Sequence, residues 1–220
     1  MPFPYFARLS AANKKIYRRS DAIREVRLPD RNALAPQLDA LRAALESESQ
    51  RAVGRASREL VRAITDMLGV EPLQVKVRRQ RPRFTNGELH GLYTRPPVGT
   101  STIELWMRTA AHERVVAFRT YLRTLLHEVC HHLDFTLFEM TETFHTEGFF
   151  RRESSLVRQL AGSPQKGAID DGAAEREIDT GETATGTAKT RTRVRTGKQP
   201  KGKQDSPVQL QLDLGGGRER

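Results

Sequence analysis

The chain has 220 residues, with 37 Lys and Arg against 27 Asp and Glu, a net charge of +10 and 6% aromatic residues. That length holds one domain with extensions, and so few aromatics argue that part of the chain lies outside any packed core. No run approaches the ~18 apolar residues of a spanning helix, prolines interrupt the start where a secretion signal needs an apolar stretch, and a single cysteine excludes an internal disulfide. No membrane association and a reducing, cytoplasmic setting are therefore expected.

Residues 11–26 read as a basic helix that ends before Pro29. Leu34, Leu38, Leu41 and Leu45, then Val53, Ala56, Leu60, Ile64 and Met67, recur at helical spacing. One helix satisfies that pattern as well as two, with a break near Ser47–Gln50 or at Gly54, and Gly69 is a stop signal. Residues 1–68 are thus expected to form a helical segment packed behind the rest.

After Pro72 the period switches to two. Leu73, Val75 and Val77 alternate with Gln74, Lys76 and Arg78, predicting a half-buried strand. Leu89–Thr94, after the Asn86-Gly87 turn signal, and Thr102–Arg108 are two more. The last would put Ile103, Leu105 and Met107 on one face and Glu104 and Trp106 on the other. Trp106 is then either a rest for a peptide added to the sheet or a cover for a neighbouring helix. The expected fold is α+β: a small, mostly antiparallel sheet packed on the helix that follows.

That helix carries the chemistry. Leu122, Leu125, Leu126, Val129 and Leu133 make an apolar stripe, and no Gly or Pro interrupts Val115–Phe144. Beside the stripe stands His127-Glu128-Val129-Cys130-His131. Residues four apart share a helix face, so His127 and His131 can both reach one Zn²⁺ at about 2.0–2.1 Å. Glu128, one step round, can serve as general base to a water on the metal. Cys130 points toward the apolar stripe and reads as core. A catalytic zinc takes three protein ligands and keeps an open position. His145 is the candidate third, with Glu147 and Glu153 as alternatives; His132 points off the shared face. Asp134 could accept a hydrogen bond from a ligand imidazole or be a plain helix-end carboxylate. Tyr93, Arg151 and Arg152 are candidates for stabilising an oxyanion.

Residues 69–162 make up this core, and from about Ser163 apolar residues nearly vanish, so 163–206 is expected to be disordered. Residues 1–162 carry +8 and 163–220 carry +2, with seven basic residues and no acid between Lys189 and Lys203. A basic body with a basic tail fits DNA as a partner, and equally a solvated surface. Leucines return at 209–214.

Strands, an HExxH helix of His127, Glu128 and His131, and a later His145 followed four residues on by Phe149 in HTEGF resemble the zincin metalloproteases, in particular the SprT-like family. The resemblance spans roughly 70–162 and implies a zincin fold, a zinc cofactor and hydrolysis of a protein or peptide substrate. Thr146 departs from it, standing where the family usually has Gly. Gln211-Leu212-Asp213-Leu214 resembles the peptide by which bacterial repair proteins hold the sliding clamp, with Gly215 in place of the terminal aromatic. The leading expectation is a zinc endopeptidase associated with DNA. The competing one is a DNA-associated binding or regulatory protein whose zinc is mainly structural.

Overall fold

The computed structural model describes residues 2–84, 87–162 and 208–211. The expected disorder of 163–206, the basic Lys189–Lys203 segment and most of the clamp-like peptide lie outside the described residues. A short 3-10 turn, Pro4–Arg8, leads into α1 (Ala11–Ala22), capped by the Ser10 hydroxyl on the Asn13 amide. α1 stops four residues short of expectation because Ile23–Leu28 is held by α5 (Glu147–Ala161) instead. Arg152 donates to the Ile23 carbonyl, and the Gln159 amide donates to Val26 O and accepts from Leu28 N. Those bonds satisfy backbone that a longer helix would have used internally.

The leucine-rich stretch is two helices, α2 (Ala35–Glu46) and α3 (Gln50–Leu68). Glu48, at φ 53°, makes the break, and the Ser49 hydroxyl caps α3 by accepting from Ala52 N. Gly69 ends α3 in the left-handed conformation that glycine adopts without a Cβ clash. Gly54 lies inside α3 and interrupts nothing.

Five strands precede the next helix: β1 (Gln74–Gln80), the short hairpin β2 (Arg83–Phe84) and β3 (Gly87–Glu88), β4 (Gly91–Arg95) and β5 (Thr102–Arg108). The main sheet is mixed, with one parallel pairing among antiparallel ones. β5 lies between β1, which it pairs in parallel (Val75↔Ile103, Val77↔Leu105), and β4, which it pairs antiparallel (Gly91↔Leu105, Tyr93↔Ile103). Residues 81–101 separate β1 from β5, long enough to return the chain to the same end of the sheet, as a parallel pair requires. A final strand, β6 (Val208–Gln211), pairs antiparallel with the outer edge of β4.

α3 and α4 (Phe118–Thr136) pack against this sheet. One apolar cluster runs from Val26 to Leu160 and includes Leu41, Leu60, Ile64, Ile103, Leu105, Leu122 and Leu126. Each such side chain contributes about 1.5–3 kcal/mol by leaving water. Trp106 does sit off this cluster, yet only 8% of it is exposed. β5 is interior to the sheet and offers no free edge, so a peptide rest there has neither ring nor strand available.

Candidate metal centre

From Leu125 to Phe135 every residue of α4 is buried. An apolar helix enclosed on all sides is ordinary, but this one encloses His127, Glu128, His131, His132 and Asp134. Each needs a partner, since a buried polar group without one costs about 1–3 kcal/mol.

The partners fix the chemistry. His127 Nδ1 lies 2.8 Å from Glu153 Oε2, and Arg123 Nε holds the other Glu153 oxygen at 2.7 Å. A carboxylate only accepts, so Nδ1 carries the proton and the Nε2 lone pair points away from Glu153. His131 reaches the same state through a relay. The Thr143 hydroxyl donates its one proton to Asp134 Oδ2 at 2.8 Å, so at 2.9 Å it must accept from His131 Nδ1. Asp134 is held in turn by Arg152 at 2.7 Å. Arg152 is wholly buried and also donates to Ser20 O, Ile23 O and Ser20 Oγ, tying the relay to α1.

Both Nε2 atoms face His145 Nε2, each at 3.1 Å. Four ligands set tetrahedrally at 2.0–2.1 Å from a zinc-sized ion lie about 3.3 Å apart. The ligand atoms of His127, His131 and His145 all fall within 4.8 Å of one another, and the three could hold a metal ion. His145 is carried by the loop before α5. Tyr5, near the N-terminus, donates to its carbonyl at 2.7 Å, and the Phe150 ring stacks on its imidazole at 5.7 Å between centroids. Burial, then the charge of His127, pulls His145 down to about 3, and burial likewise holds His131 well below the ordinary imidazole range. Both are neutral, as ligands must be.

Glu128 is the exception to the pairing. Its Oε1 is buried with no hydrogen-bond partner among the described residues. Burial pushes its carboxyl up to about 7; His127 and a backbone bond from Tyr93 pull the other way. Gly91 of β4 lies directly against this carboxylate, and a Cβ there would overlap Oε1. The glycine leaves the room that Glu128 occupies.

Other candidates fall elsewhere. Glu147 pairs with Arg151 on α5, and Glu153 stands behind His127 rather than among the converging nitrogens. His132 turns away, to the Glu71 carbonyl and the Tyr93 hydroxyl. Cys130 is core, its thiol raised well above the usual range by burial. Asp134 serves His131 through Thr143, not directly. Of the oxyanion candidates, Tyr93 bonds Ser101 and His132, Arg151 bonds Glu147, and Arg152 is locked into the relay. Thr146, in place of the expected Gly, caps α5 on Phe149 N and lies 3.3 Å from the Ser20 hydroxyl. A glycine is needed instead at Gly148, where a Cβ would strike the carbonyls of Ser20 and Asp21.

Sequence reasoning missed Thr143, Tyr5 and Gly91. A glycine within a predicted strand signals close approach of another group, so only Gly91 had a sign to read. Among the described residues no helix is long and apolar enough to cross a membrane. Comparison with protein-family models, curated proteins and solved structures gave no significant match to this chain.

Proposed function

We propose that this chain is a zinc-dependent metallopeptidase of the zincin type, similar to the SprT-like family, with His127, His131 and His145 as ligands and Glu128 as general base. The observation that carries the reading is the unpartnered, buried Oε1 of Glu128 one helical step from His127. A purely structural site in a DNA-associated binding protein has no use for it, and an apolar residue there would avoid the cost of about 1–3 kcal/mol. Three imidazoles with a further position left open are the donor set of a catalytic zinc. Bound there, zinc would supply Lewis acidity toward the peptide carbonyl and the attacking water. Glu128 takes the proton of that water and returns it to the leaving amine. Glu153 and Thr143 keep the two helix histidines in the tautomer that leaves Nε2 free.

The test is Glu128→Gln, nearly isosteric and without the base. It should retain zinc and fold, yet cleave an unstructured protein at least about 10²-fold more slowly. A zinc-loaded wild type that cleaves nothing, with or without DNA, would leave only the structural reading.

A further inference from the structure

We propose that the outer face of α3, with the adjoining edge of β1, is a docking surface for the phosphodiester backbone of nucleic acid. Arg51, Arg55, Arg58 and Arg62 follow at spacings of four, three and four residues, which keeps all four within about 60° of arc along ~16 Å of helix. All are exposed, opposite the buried Val53, Leu60 and Ile64. Arg62 pairs with Asp66 at 3.5 Å; no ion pair engages Arg51, Arg55 or Arg58 among the described residues. Exposed Arg79, on the same face of β1 as Val77, adds to this surface.

A solvated helix face is the bland alternative, and two features argue against it. The first is that Arg51 and Arg58 have no acid three or four residues away within α3 and each faces another arginine instead, at 55 and at 62, although Glu59 stands four residues from Arg55 and Asp66 pairs with Arg62. The second is a groove of about 410 Å³ bounded by Gln50, Arg51, Gly54, Arg58 and Val77. Gly54 opens it in mid-helix, where glycine is costly relative to alanine. A Cβ at 54 would make an ordinary contact with Val77 Cβ at 3.8 Å but would crowd Arg58 Nη1 at 3.3 Å, so the glycine leaves room for Arg58 to lie across the gap. Two guanidiniums flank this floor, and their planar forks match phosphate oxygens. The continuation of the row beyond the groove suits a chain of phosphates rather than one. The Gln50 amide is already committed to the Val77 carbonyl at 2.9 Å, so what the groove presents to a ligand is its two guanidiniums. Contacts of these to phosphates position a nucleic acid without reading its sequence. The surface lies on the β1 side of the sheet, away from β4 and the histidines, and does not rest on the metal reading.

Anisotropy of short labelled DNA, duplex in one arm and single-stranded in the other, tests this with the full chain. Arg51→Ala/Arg55→Ala/Arg58→Ala should bind at least about tenfold more weakly than wild type and reduce the slope of log affinity against log salt by about 2–3, since each lost phosphate contact is worth about 0.9. The corresponding triple Lys variant should retain most of the affinity. Lys15→Ala/Arg24→Ala/Arg31→Ala removes the same charge from other exposed positions and should lose much less. Whichever arm binds more tightly identifies the form of nucleic acid. Equal losses in the two Ala triples would overturn the assignment, as would no binding to either DNA at low salt, or tighter binding to phosphatidylserine vesicles than to DNA. Unchanged melting of both triples excludes misfolding as the cause.

Discussion

Thr143→Val isolates the relay behind His131. The two side chains have nearly the same shape, so the change removes one hydroxyl and little else. Two bonds go with it: the 2.9 Å acceptance from His131 Nδ1 and the 2.8 Å donation to Asp134. Asp134 keeps Arg152 at 2.7 Å and stays paired. His131 is left without a hydrogen-bond partner on Nδ1 among the described residues, so its proton is free to move to Nε2, where it blocks the metal. Losing such an outer partner costs roughly 10–100-fold in metal affinity, or about 1.4–2.7 kcal/mol. Competition against a chromophoric zinc chelator measures this directly, and Thr143→Ser, which restores the hydroxyl, should recover the affinity. A Thr143→Val protein that holds zinc within about threefold of wild type would refute the tautomer argument, and with it the role given to Asp134.

Gly91→Ala should displace the Glu128 carboxylate while leaving three ligands in place, so zinc titration should stay near wild type as hydrolysis falls; parallel loss of both would mean that β4 itself had shifted. Arg152→Met leaves Asp134 buried beside a lost charge and should destabilise by about 3–5 kcal/mol, read from urea midpoints, with Asp134→Leu in the same chain recovering much of it. His145→Ala should cut zinc occupancy sharply, whereas His132→Ala should not, because His132 faces Glu71 and Tyr93; metal analysis of the purified proteins decides. Stripping the metal with a chelator should lower the melting temperature, since a ligand bound only by the folded state stabilises it.

Local patterns were readable where burial repeats with the period of an element. The stripe from Leu122 to Leu133 located α4, and alternation at Val75, Val77, Ile103 and Leu105 located β1 and β5. Strand direction was not readable, because the same alternation serves a parallel and an antiparallel neighbour. The break between α2 and α3 was visible only as a choice. What decided it was a positive φ at Glu48, a residue type that does not advertise one.

The site shows the same division more sharply. His127 and His131 are four residues apart on one helix, so their spacing alone fixes their geometry. His145 needs a loop, and what holds that loop comes from 140 residues away, the Tyr5 hydroxyl on its carbonyl. The relay is equally remote in sequence: Arg152 joins Asp134 to the carbonyls of Ser20 and Ile23. No periodicity encodes such contacts, because each is set by how α1, α4 and α5 pack. Gly148 makes the dependence concrete. Its missing Cβ lets α5 approach the end of α1 closely enough for Arg152 to reach those carbonyls. The residues that would touch a metal are therefore written locally, while the residues that aim them are written in the packing of the fold.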